Sequence, residues 1–207
     1  MNAARGEHWQ RIYREKGERQ TSWFRPHLDE SLRRIDALQI GADDAAIDVG
    51  AGRSTLVDDL LARGLRDVTV LDLAEPALDA ARARLGADAA RVRWIAADVT
   101  QAELPPAHYA LWHDRAVFHF LTDAAERARY VAQAARSVRP GGHAVIATFA
   151  PDGPERCSGL PVARYDADAL AAEFAPAFVR VASGRDVHLT PWDAQQAFTY
   201  VVLRRLA

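Results

Sequence analysis

One cysteine, Cys157, is all the thiol chemistry that 207 residues contain. A single thiol makes no internal disulfide and no zinc cluster by itself, which fits a reducing compartment. An excess of one charge is missing too. Lys and Arg total 26 against 28 Asp and Glu, a net charge of −2. No strong field is available to draw in nucleic acid or anionic lipid. No apolar run approaches the ~18–20 residues of a membrane helix. The opening MNAARGEHWQ is polar where a signal peptide would be apolar. The His and Asp spacings form no metal motif, and there is no repeat, low-complexity tract or linker. These absences predict a cytoplasmic protein with no metal, no membrane and no nucleic-acid partner. They leave the oligomeric state open.

What is present suits one folded α/β domain. Apolar residues make up 49% of the chain and charged residues 26%, enough for a core and a solvated surface. Short apolar runs at 45–49, 68–71, 92–96, 109–112 and 143–149 read as buried strands. Between them lie helical segments marked by Leu56, Leu60 and Leu61, by Pro76 followed by Ala77–Leu85, and by the run Ala124–Val138. Such alternation predicts a parallel sheet with helices on both faces. After Phe149 the rhythm breaks. Residues 150–165 read as loop and Asp168–Phe174 as a short helix. Runs at 178–183 and 197–204 lack room for a crossover helix and are expected to pair antiparallel at the sheet edge. Residues 1–40 carry aromatics at Trp9, Tyr13, Trp23 and Phe24. Leu28, Leu32, Ile35 and Leu38 follow them at helical spacing.

The first strand runs into Asp48-Val49-Gly50-Ala51-Gly52-Arg53-Ser54. Glycines there allow a sharp turn and let a ligand lie against the main chain. Two glycines alone mark no more than a tight strand–helix turn. The acidic residues after later strands add weight: Asp72 after the second, Asp98 after the third, Asp114 after the fourth. The carboxyl edge of an open α/β sheet is where ligands bind, and a carboxylate at Asp72 can accept both hydroxyls of a ribose. Singly, each aspartate is as well explained as a cap or turn residue.

AIDVGAGRS resembles the first motif of the class I S-adenosylmethionine-dependent methyltransferases, with Ser54 in place of the usual third glycine. TVLDLAEPALDAAR, RWIAADVT and LWHDRAVFHF are similar to the second to fourth motifs, and RPGGHAVIATF to the fifth strand and its lead-in. The resemblance implies a Rossmann-like seven-stranded sheet with helices on both faces and a C-terminal antiparallel hairpin. It also implies S-adenosylmethionine as cofactor. Asp48 would meet the methionine amino group, with Gly50, Ala51, Gly52 and Ser54 along the methionine part. Asp72 would hold the ribose, and Leu73, Asp98 and Val99 would surround adenine. His113 and Asp114 would form the floor near the methyl donor. HWQRIYREKGERQTSWF and Asp114-Arg115 also resemble thiopurine methyltransferase-like enzymes and some protein-lysine methyltransferases. On that footing residues 1–40 form a helical lid that brings Trp9, Tyr13 and Trp23 over the cofactor, and 41–207 form the catalytic domain. A packed amphipathic helix explains the same aromatics.

The sulfonium methyl is already electrophilic, so the enzyme's task is alignment, with a base useful mainly for oxygen acceptors. Asp114, His119 and Cys157 are the candidate catalytic residues, with Arg156 placed to lower the thiol's pKa. His119 reads equally as a packed helix residue, and most lone cysteines are inert. His188, Thr190, Gln195 and Gln196 border the hairpin, as pocket or as turn residues. A small-molecule thiol, amine or hydroxyl is the expected methyl acceptor; a protein lysine, or binding without catalysis, is the alternative. A nucleotide-dependent dehydrogenase fits less well, because Thr55 stands where that fingerprint has Gly or Ala.

Overall fold

A computed structural model describes residues 3–207; the first two residues of the expected lid lie outside it. In chain order the elements are α1 (Ala3–Glu15), α2 (Asp29–Asp36), β1 (Ala45–Val49), α3 (Leu56–Ala62), β2 (Asp67–Asp72), α4 (Glu75–Leu85) and β3 (Val92–Ala96). There follow β4 (Tyr109–Arg115), α5 (Ala124–Ser137), β5 (Val138–Phe149), β6 (Arg156–Cys157), β7 (Leu160–Pro161), α6 (Ala167–Glu173), β8 (Phe178–Leu189) and β9 (Gln195–Arg205). Seven strands form one sheet in the order β3-β2-β1-β4-β5-β9-β8. The first five are parallel, and β8–β9 is the expected antiparallel hairpin. No helix among the described residues is long and apolar enough to cross a membrane.

Strand alternation divides the interior into two cores. Ala46, Leu111, Val145 and Phe198 face α2, α3 and α4. Ala45, Ile47, Trp112 and Ile146 face α5 and α6. Local chemistry sets the helix ends: the Asp123 carboxylate accepts the Glu126 N–H at the start of α5, and Asp166 accepts the Ala169 N–H at the start of α6.

Several boundaries depart from the sequence expectation. β5 starts at Val138, where the preceding helix was expected to end, because its first residue pairs with Tyr109 before a register shift. β8 and β9 are longer than expected. β8 is an edge strand whose solvated residues hide the alternation, and it carries a bulge between Arg180 and Ala182. Within the expected 150–165 loop, β6 and β7 form a two-rung ladder.

Candidate functional site

Alternation also decides which strand-end side chains meet. Asp48 and His113 are neighbours across the β1–β4 pairing, and both lie on the face toward α2. Arg115, two residues beyond His113, shares that face. A cleft of about 1200 Å³, open mouth included, lies over the carboxyl ends of β1, β2 and β4. Asp48, Gly50, Ala51, Ser54, Asp72, Leu73, Val99 and His113 line it. So do Trp9, Tyr13 and Trp23 from the N-terminal segment, with Arg115, Phe120 and Cys157.

The floor is built from buried polar groups. The Asp48 carboxylate accepts from His113 Nδ1 at 2.7 Å, and His113 Nε2 sits 2.8 Å from the Ser31 hydroxyl on α2. Asp48 is 2% exposed, yet its Oδ2 has no partner. A buried carboxylate oxygen without a donor is costly, and it fits the ammonium group of a ligand. Gly50 turns at φ 62°, and a β-carbon there would stand 1.9 Å from Val117. The turn is tied to β2, since Asp72 accepts the Gly52 N–H at 2.8 Å and the Ala74 N–H at 2.7 Å. Burial pushes the Asp72 carboxyl up to about 6, and the backbone N–H groups of Ala74, Gly52 and Leu73 oppose the shift. A carboxylate has about four acceptor sites, so Asp72 keeps capacity to accept from a diol.

Over this floor lies an aromatic cap. Trp9 meets Trp23 edge-on at 5.7 Å and Phe120 at 5.2 Å, and Tyr13 meets Trp23 at 6.1 Å. Arg53 bonds the backbone carbonyls of Tyr13 and Lys16, fastening the end of α1 to the glycine turn.

Four expected site residues do not line the cleft. Asp98 is half-buried and accepts from the Thr100 N–H and hydroxyl. Gly52 points its N–H at Asp72 beneath the Tyr13 ring. Asp114 faces the opposite side of the sheet, where it accepts from the Val117 and Phe118 N–H groups and the Tyr130 hydroxyl. Its carboxyl, pushed up to about 6 by burial, holds a turn together. His119 is fully buried behind Phe120 and Phe149, and burial drives its pKa down to about 3. Such an imidazole holds no proton in the pH range where a base must accept one. Asp114→Ala is therefore expected to destabilise the fold by about 3–5 kcal/mol. Protein that still folds should keep measurable turnover, where loss of a catalytic carboxylate would abolish it. A urea titration paired with active-site-normalised rates checks this.

Cys157 does line the cleft, but its thiol is buried and pushed up to about 12. The guanidinium that opposes this shift is Arg115, not the expected Arg156, whose side chain bonds the Gly159 carbonyl. Thr190 is a turn residue, accepting the Ala194 N–H. His188 is buried. It accepts the Arg25 Nε–H on Nδ1 at 2.8 Å and donates from Nε2 to the Ser22 carbonyl at 2.6 Å. Ser31, Arg25 and Phe120 were missed as site residues. Their partners are distant in sequence, and no local pattern marks them.

Comparison with known proteins bears on this geometry. Residues 46–142 match a family model described as a methyltransferase domain. The eEF1A lysine and N-terminal methyltransferase of Bos taurus is 23% identical over 150 residues, covering 70% of this chain and 21% of that protein. An uncharacterized methyltransferase of Mycobacterium bovis is 31% identical over 115 residues, 56% of this chain and 55% of that one. The chain thus spans about a fifth to about half of the length of these relatives. Among solved structures, Burkholderia thailandensis 1,6-didemethyltoxoflavin-N1-methyltransferase superposes with a TM-score of 0.71 at 23% identity, over 99% of this chain and 85% of that one. That structure holds 1,6-didemethyltoxoflavin and S-adenosylhomocysteine. The matched span carries the glycine turn, Asp48, Asp72 and His113, and the chain contains a methyltransferase domain with the fold of S-adenosylmethionine-dependent methyltransferases.

Proposed function

We propose that this chain transfers the methyl group of S-adenosylmethionine to a small-molecule acceptor. The observation that carries the reading is the cap of Trp9, Tyr13, Trp23 and Phe120 over the cleft. A cap across the cleft suits a small acceptor better than a polypeptide, which needs an open groove. Residues 1–40 act as the lid on this reading, and 41–207 as the catalytic domain.

The cofactor supplies the reactive group, a sulfonium methyl. Asp48 Oδ2 binds its ammonium, and His113, braced by Ser31, keeps that carboxylate in place. Asp72 accepts the ribose hydroxyls, while Leu73, Ala97 and Val99 enclose the adenine. The acceptor then lies on the β4–β5 side, among Trp23, Phe24, Arg115, Phe120 and Cys157. The residues on that side of the cleft include no carboxylate or imidazole. A nucleophile that needs no base, a thiolate or a neutral amine, suits this site. The residues' contribution is to hold the acceptor in line with the carbon–sulfur bond and keep water out.

Two results are expected. Affinity for S-adenosylhomocysteine should rise about tenfold from pH 5 to pH 7.5 as Asp72, at about 6 in the free protein, ionises into its binding form. Calorimetry at several pH values reads the slope, and Asp72→Asn should flatten it. Cys157→Ser should leave turnover within about threefold of wild type, where loss of a covalent nucleophile would cost orders of magnitude.

The functional test is a panel of thiols, amines, phenols and protein fractions, read by release of S-adenosylhomocysteine. Methylation confined to protein fractions would replace this reading with the second one, a lysine acceptor, toward which the bovine relative's name points. Cofactor binding without turnover on any acceptor class would favour a non-catalytic binding module.

A further inference from the structure

Arg115 is a cation without an anion. Its guanidinium lines the cleft and packs over the Phe198 ring at 4.5 Å. Nη1 makes one long bond, 3.4 Å, to the Trp23 carbonyl, and Nη2 is buried with no partner. None of the ion pairs among the described residues involves Arg115.

Its neighbours cannot supply the missing charge. The nearby carboxylate Asp186 is taken by Arg25, at 3.3 Å. His188 is held neutral, its pKa down to about 4 by burial first and by Arg115 second. His119 and Cys157 also feel the Arg115 charge and are neutral near pH 7. Asp114, adjacent in sequence, points through the sheet to Tyr130. A guanidinium does not shed its proton, and a buried donor left without an acceptor, as Nη2 is, is costly. A ligand in the cleft is placed to supply that acceptor.

Position says which part of a ligand. Asp48 and His113 occupy one level of the floor, and Arg115 stands two residues farther along the same face of β4. This is beyond the amino-group site and among the apolar walls of Trp23, Phe24 and Phe120. We infer that the methyl acceptor carries a carboxylate, gripped by the fork of Arg115, on a flat apolar body that fits between these aromatic side chains. The inference rests on the small-molecule reading and narrows it.

The cofactor's own carboxylate has the same chemistry, so the test must separate the two sources. Benzoate and its neutral isostere benzamide serve as probes, titrated calorimetrically into protein saturated with S-adenosylhomocysteine. Benzoate is expected to bind at least about tenfold more tightly, as a charge-assisted bidentate pair would produce. Arg115→Gln should erase the preference and leave S-adenosylhomocysteine affinity unchanged. Arg115→Lys should restore part of it, keeping the charge without the fork.

Equal binding of the two probes, or no benzoate binding, overturns the inference from the wild-type protein alone, whatever the variants do. A tenfold loss of S-adenosylhomocysteine affinity in Arg115→Gln also overturns it and assigns Arg115 to the cofactor. A wild-type protein that does not bind S-adenosylhomocysteine removes the cofactor reading itself, a separate failure visible before any probe is added.

Discussion

Gly50→Ala is expected to lose S-adenosylhomocysteine binding altogether and to destabilise the protein by about 2–4 kcal/mol. Two costs combine. The residue sits at φ 62°, where an L side chain is strained, and the new methyl would stand 1.9 Å from Val117 Cγ2. Val117 cannot easily retreat, because its N–H is bonded to the buried Asp114. Either the turn or the Asp114-anchored segment must move, and both border the cleft. Thermal melting with and without ligand reads both effects. Melting temperature and ligand response equal to wild type would mean that the backbone at Gly50 does not define the site.

Asp48→Asn should weaken S-adenosylhomocysteine by about 10- to 100-fold, the value of a charge-assisted hydrogen bond, 1.5–3 kcal/mol. The change is isosteric, so the fold should survive. What is lost is the charge expected to face the ammonium: the Asn Oδ1 can still accept from His113 Nδ1, which leaves an amide NH2, a donor, at the Oδ2 position. Because the loss falls on a group remote from the methyl, the acceptor's own affinity should change little. An affinity within twofold of wild type would remove Asp48 from the binding site.

The contrast between Asp48 and Asp114 marks how far the sequence could be read. Both are aspartates near the end of an apolar strand, and both read as site residues, Asp48 at the methionine amino group and Asp114 on the floor. Asp48 faces the cleft, while Asp114 faces α5. One residue of phase separates these outcomes, because successive side chains on a strand point to opposite faces. Each strand is buried on both faces, so apolar patterning does not report the phase. The parallel strands themselves were legible: short buried runs, glycine turns and helix stops recur in order, and the sheet matches them. Asp98 shows the other limit, since an Asx turn onto Thr100 and a ligand contact look alike in sequence.

The acceptor end was the least legible part. Arg25 and His188 meet across 163 residues, and Ser31 reaches His113 across 82. These pairings arise when the N-terminal segment folds back over the sheet, and nothing local encodes them. Cys157 and His119 drew attention as chemically able residues. Burial makes the thiol too weak an acid and the imidazole too weak a base for the roles that residue type alone suggested.

A crystal structure with S-adenosylhomocysteine bound tests the account most directly. The ligand's amino nitrogen should lie about 3 Å from Asp48 Oδ2, with the ribose hydroxyls on Asp72 and Trp9 and Trp23 covering the cleft. A ligand bound elsewhere, or one in the cleft that leaves Asp48 Oδ2 without a donor, would contradict it.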